Sequence, residues 1–115
     1  MNILLILKII AALGTAATGL LALVKPTAIY GFIGLIADGA RGISEIRSIF
    51  GGLFIALGIA PFIFGEPAYQ VLGFGYLVIA AVRLASIILD RSTASSNLIS
   101  LGIEIVFGVI LILRS

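Results

Sequence analysis

The sequence predicts an all-α fold: an integral membrane four-helix bundle, antiparallel, with a short interfacial or re-entrant segment between the first and second helices. Three observations carry this. Of 115 residues, 62% are hydrophobic and only 10% charged, whereas a soluble domain is about half apolar and about a quarter charged. The apolar residues fall into four long runs separated by short polar or proline-marked breaks. A soluble chain this apolar has too little polar surface to cover a core, a requirement that lipid removes. At this length a single domain, 1–115, is expected.

The first run covers about 3–24 and is interrupted only by Lys8. No basic stretch precedes it, so it reads as a retained span rather than a signal peptide. It stops at Lys25-Pro26, where a charge meets a residue that disfavours helix continuation. Residues 28–37 are apolar but too short to span; with Gly31, Gly34, Tyr30 and Phe32 they read as an interfacial or re-entrant piece. Asp38-Gly39-Ala40-Arg41-Gly42 reads as a polar turn.

The second span is expected at about 43–64, with Glu45 and Arg47 in its first turns and Pro61 near its end. Gly65-Glu66-Pro67 makes a tight turn, and Pro67 suits the first position of the next helix. The third span covers about 68–89 and contains Arg83. Residues 90–97 form the strongly polar stretch, from which Ser96 or Asn97 is expected to cap the fourth span. That span covers about 98–113, contains Glu104, and is followed by Arg114. Small residues at helical spacing let helix backbones approach closely in lipid; Gly51, Gly52, Ala56, Ala81 and Ala85 are the expected packing positions.

Composition excludes several chemistries. Cysteine and histidine are absent, which removes disulfides, thiol redox sites, Cys/His metal sites and the common histidine-based catalytic arrangements. No metal, no cofactor, no catalytic residue and no enzymatic activity are expected. A net charge of +2 without a basic, aromatic-studded face points away from nucleic acid.

The informative residues are charges inside the spans, each costing about 2.5–3.5 kcal/mol at the centre of a bilayer unless paired. Arg83 lies seven residues before Asp90, and Glu104 seven residues after Asn97. In antiparallel neighbours both lie roughly 10 Å below the same surface. A guanidinium suits a bidentate carboxylate contact, so Arg83 with Glu104 is the expected pair. Glu45 and Arg47 enter from the same side and are expected to complete a buried polar cluster, although their spacing puts them on opposite helix faces. Tyr76 shares a helix face with Arg83 and is a candidate ligand or network contact, weighed against a packing tyrosine with one hydrogen bond. Lys8 and Arg114 are expected to snorkel to the interface, and Glu66 to be solvated.

The segment Glu45-x-Arg47-x-x-Phe50-Gly51-Gly52 resembles a family of small four-span bacterial membrane proteins known only as a domain of unknown function, similar in outline to DoxX-like proteins. The resemblance adds an arginine in the third helix and an acid in the fourth, places filled by Arg83 and Glu104. Phe50 stands where the family more often has tyrosine. The resemblance implies a four-helix bundle with a polar cluster in a bacterial inner, cytoplasmic membrane, and brings no established activity.

Three functions fit. The leading expectation is an accessory or assembly subunit, in contact with membrane lipids, of a homo-oligomer or larger membrane complex. Its Glu/Arg cluster fixes helix arrangement. The alternatives are a small oligomeric transporter or channel for an anionic or amphipathic solute, and a lipid- or quinone-binding membrane protein. A wet cavity around the charges favours transport; a dry, mutually paired cluster favours a clamp. The Lys and Arg residues are too evenly divided between the two sides to set orientation.

Overall fold

The computed structural model describes residues 2–115. The described chain is all-α, and four of its helices are long and apolar enough to cross a membrane. They are α1 (Ile3–Val24), α3 (Gly39–Phe64), α4 (Glu66–Asp90) and α5 (Ser95–Ile112). Between α1 and α3, a 3-10 turn (Pro26–Ile29) leads into the one-turn helix α2 (Tyr30–Ile33).

Each boundary has a local cause. The Asn2 side chain accepts from the Leu5 amide and caps α1. Pro26 then opens the 3-10 turn, because its fixed φ suits a first helical position while its missing N–H prevents α1 from continuing. Gly34, at φ +72°, ends α2 in the left-handed conformation that glycine adopts without steric cost.

Helix α3 begins at Gly39 rather than about residue 43, so the expected polar turn at 38–42 is largely helical. An Arg41–Glu45 pair, one turn apart, ties this first stretch together. Gly65 (φ +83°, ψ −156°) reverses the chain into α4, with Glu66 in the first turn. Helix α5 starts at Ser95, with Ala94 at the cap position. Asn97 therefore lies inside the helix, and neither it nor Ser96 caps it.

The middle of α3 departs from α geometry. Ile46–Leu53 is π-helical, with one more residue per hydrogen-bonded turn than the flanking stretches Gly39–Glu45 and Phe54–Phe64. Gly51 lies here and faces α1: a Cβ on it would meet Leu23 at 3.1 Å. A Cβ on Gly19 of α1 would meet the Gly51 carbonyl oxygen at 2.7 Å. About two turns on, a Cβ on Gly58 would lie 2.5 Å from the Ala16 nitrogen and 2.6 Å from the Ala12 oxygen. Helices α1 and α3 thus touch backbone to backbone. Helices α4 and α5 do the same, since a Cβ on Gly73 would lie 2.6 Å from the Ile112 nitrogen.

The sequence reading of the small residues needs correction. Of the five expected packing positions only Gly51 is buried; Gly52, Ala56, Ala81 and Ala85 face outward. The contacts fall instead to Gly19, Gly58, Gly73 and Gly108. In α3 the extra residue per turn rotates positions after Ile46 away from where a 3.6-residue wheel puts them.

Two clusters make the core. Ala11, Ala12, Tyr69, Leu72 and Leu111 close one end. Ala22, Ile29 and Ile46 pack the 3-10 turn onto α1 and α3 at the other. The outer surface carries many exposed large apolar side chains, among them Ile3, Val24, Ile63, Phe64, Ile88 and Leu89.

Candidate functional site

At the end of the fold that holds Asn2, Lys8 is fully buried. Its ammonium pairs with the Glu66 carboxylate and donates to the Leu113 carbonyl at 2.7 Å. It also lies 5.1 Å from the centre of the Tyr69 ring. Glu66 sits in the first turn of α4 and Leu113 at the C-terminal end of α5, so each charge opposes the partial charge of a helix end. Ser115 adds two longer contacts to Glu66, both at 3.4 Å. This joins three helix ends. Lys8 is therefore not a snorkelling residue and Glu66 is not merely solvated: apolar packing by Tyr69, Leu72 and Leu111 closes the path to the surface, and Glu66 supplies the counter-charge.

Halfway along the fold, the Thr15 hydroxyl bonds the Tyr76 hydroxyl at 2.5 Å and donates to the Ala11 carbonyl at 2.8 Å. Tyr76 also stands edge-on to Phe107, with centroids 5.6 Å apart. Past this crossing α1 leaves the α4–α5 pair, and a cavity of about 370 Å³ opens. Its walls come from α1 (Thr18, Ala22), the 26–33 segment (Ile29, Phe32), α3 (Phe50, Phe54) and the α4–α5 pair (Tyr76, Arg83, Glu104, Phe107).

Arg83 and Glu104 form a two-point ion pair on this wall. Nε and Nη2 of Arg83 donate to the two carboxylate oxygens, both at 2.7 Å. Nη1 donates to Asn97 Oδ1 at 2.8 Å. The Asn97 amide in turn donates to the carbonyl and hydroxyl oxygens of Ser92, both at 2.9 Å. Asn97 and Glu104 are seven residues apart, two turns on one face of α5. That face is what lets both reach one guanidinium. The Arg83 side chain remains 31% exposed and Glu104 11%, so the pair is accessible from the cavity.

A second hollow, about 420 Å³, lies on the far side of Arg83. It shares Phe32, Ile33, Phe50, Arg83 and Ser100 with the first. Its remaining walls include Ser86, Ser92, Ser96 and Asn97. The face of α5 is thus graded, from Ser96, Asn97 and Ser100 through Glu104 to Phe107 and Leu111.

The expected four-residue cluster is not assembled. Arg83 and Glu104 meet; Glu45 and Arg47 do not join them. Glu45 is exposed and pairs with Arg41, which is closer along the helix than any group on α5. Arg47 is exposed on α3. Phe50, one turn on, is the motif residue that reaches the cavity wall. Among the described residues no group of acidic side chains is arranged to hold a metal ion.

Residues 3–114 match the family model described as Domain of unknown function (DUF4345). The chain belongs to this family. No match is found among curated proteins or among solved structures. In this family member the sequence reading missed Asn97 and the Lys8–Glu66 pair. The signal for the latter was partial: the start of α1, the Gly65 turn and the end of α5 share one end in any alternating arrangement, but Lys8 lies about a turn and a half inside α1 whereas Glu66 opens α4.

Proposed function

We propose that this protein is an integral membrane, antiparallel four-helix bundle that holds an amphipathic, lipid-like molecule in the cavity beside Arg83 and Glu104. The observation that carries this reading is the placement of a two-point ion pair on the wall of a largely apolar cavity, rather than between tightly packed helices. A structural clamp needs no cavity, and the fold already has one in Lys8 and Glu66. Ligand sites have volumes of about 300–1,000 Å³, apolar walls and a few convergent polar groups, and the cavity here meets each condition. Helical spans suit a bacterial inner membrane, since outer membranes hold barrels.

No enzymatic step is needed for this role. Transport is less well supported, because Ala11, Ala12, Leu72 and Leu111 fill the bundle below the Thr15–Tyr76 contact, leaving the cavity no way to the Lys8 end.

Native mass spectrometry of the protein extracted with its own lipids tests the reading. One retained lipid per chain is expected, with loss of that lipid in Arg83→Ala and Glu104→Gln while the fold is kept. Equal lipid retention by wild type and both variants refutes it.

A second reading, an accessory subunit of a homo-oligomer or larger complex, is favoured by the outward-facing Gly52, Ala56, Ala81 and Ala85. Such residues permit close approach by another helix. Cross-linking in native membranes through cysteines placed at Ala56 and Ala85 tests it; absence of any adduct counts against it.

A further inference from the structure

We infer that the ligand's head is uncharged and carries hydroxyl groups, as in an acylglycerol or a glycosylated lipid, with the head in the serine-lined hollow and the chain in the apolar cavity. This rests on the proposed lipid-binding reading and adds the chemical class of the ligand.

Three features select such a head. The first is charge. Among the described residues, Arg83 is the charged side chain that lines both spaces and Glu104 lines the apolar cavity alone; the two neutralise one another through two hydrogen bonds. An anionic head meets no net positive charge there, and at the two guanidinium N–H groups left open it lies beside the Glu104 carboxylate, whose charge repels it.

The second is hydrogen-bonding capacity. Arg83 commits three of its five N–H groups to Glu104 and Asn97. Two donors remain, beside carboxylate oxygens that retain lone pairs. The hydroxyls of Ser96 and Ser100, one turn apart on the same face of α5, make no side-chain hydrogen bond among the described residues, and both residues are half-buried. Donors and acceptors are thus presented side by side; a hydroxyl, itself both donor and acceptor, satisfies both, whereas a phosphate takes the donors but sets its negative oxygens against the Glu104 carboxylate.

The third is continuity. Phe32, Ile33 and Phe50 wall both spaces. One molecule can therefore lie across Arg83, with its polar end among the serines and its chain against Phe54 and Phe107.

The test uses the full-length protein in mild detergent, titrated by native mass spectrometry with lipids of identical acyl chains: diacylglycerol, monoglucosyl-diacylglycerol, phosphatidate and phosphatidylglycerol. Binding of one neutral lipid per chain is expected at least about tenfold tighter than phosphatidate, a difference of about 1.4 kcal/mol. The Ser96→Ala/Ser100→Ala double variant is expected to narrow that gap to less than about threefold without lowering thermal stability. Preference for diacylglycerol alone assigns the head to a free glycerol hydroxyl; equal or tighter glucolipid binding assigns it to a sugar. Tighter binding of phosphatidate or phosphatidylglycerol overturns the inference and leaves the lipid site standing. Failure to bind any of the four at one per chain overturns the lipid site itself.

Discussion

Replacing Lys8 by methionine removes the charge while keeping an unbranched apolar stem of similar length. In the native fold the ammonium makes a charge-assisted bond to Glu66 and another, at 2.7 Å, to the Leu113 carbonyl. Bonds to a charged group contribute about 1.5–3 kcal/mol each, and a buried group left unpaired costs about 1–3 kcal/mol. Glu66 is one-third exposed, so water recovers much of its loss, and its share belongs at or below the lower end. The Leu113 carbonyl lies at the end of α5, where water also has partial access. Together these give about 2–3 kcal/mol for Lys8→Met. Polar pairs in membrane bundles couple by about 0.6 kcal/mol on average and about 1.7 at most. The Lys8→Met/Glu66→Gln pair is therefore expected to be about 1 kcal/mol less destabilised than the sum of its single variants. Reversible unfolding in mixed micelles with a denaturing detergent measures all four corners of this cycle. Additive single effects, or a Lys8→Met cost below about 0.5 kcal/mol, refute the placement of a buried clasp at this end.

Other expectations follow from contacts of different kinds. Gly73→Leu drives a side chain into the backbone of Ile112 and is expected to cost at least the upper part of the usual overpacking range, about 3 kcal/mol. A Cβ on Gly75 meets nothing within 4 Å, so Gly75→Leu is expected to stay within about 0.5 kcal/mol of wild type; comparable losses in the same detergent titration contradict the helix rotation described. Tyr76→Phe removes one hydroxyl contact, and Thr15 keeps its bond to the Ala11 carbonyl. A loss of about 0.5–1.5 kcal/mol is expected, and a larger one in thermal unfolding argues for a further role of the hydroxyl. Asn97→Ala leaves one Arg83 nitrogen without its partner while retaining the ion pair with Glu104. Lipid retention is expected to fall less than in Arg83→Ala, and an equal fall makes Asn97 part of the binding contact.

Depth could be read along the chain; rotation could not. Counting residues from the polar turns put Arg83 and Glu104 at one level, and their side chains meet. The same counting put Glu45 and Arg47 near that level, yet neither reaches the pair. Depth says nothing about which way a side chain points, and the π-helical stretch from Ile46 to Leu53 breaks the wheel that would have said so. Gly52 and Ala56 were misassigned for the same reason. Ala81 and Ala85 had no such cause: α4 is α-helical throughout, and its contact with α5 runs through Gly73 and Leu77, a face that spacing alone does not distinguish from its neighbour. The Lys8–Glu66 contact was legible only as two opposite charges at one end of the fold, because Lys8 lies about a turn and a half inside α1 and Glu66 opens α4. It was hidden by the habit of treating charges near helix ends as belonging to water, whereas here Tyr69 and Leu72 are packed in the way. The 3-10 turn and α2 follow from Pro26 and Gly34, but only the folded chain places Ile29 against α1 and Phe32 on a cavity wall.

The Lys8 clasp also has a consequence in time. Lys8 is made 58 residues ahead of Glu66 and 105 ahead of Leu113. On the membrane reading proposed above, its ammonium has neither partner while the first helices enter the bilayer, and it is expected to stay at the headgroups. Burial becomes favourable once α4 has brought Glu66 alongside, and the last bond forms when α5 delivers its carbonyl. On that reading a lysine that ends fully buried begins as an anchor, and its withdrawal from the surface accompanies the docking of the last helix.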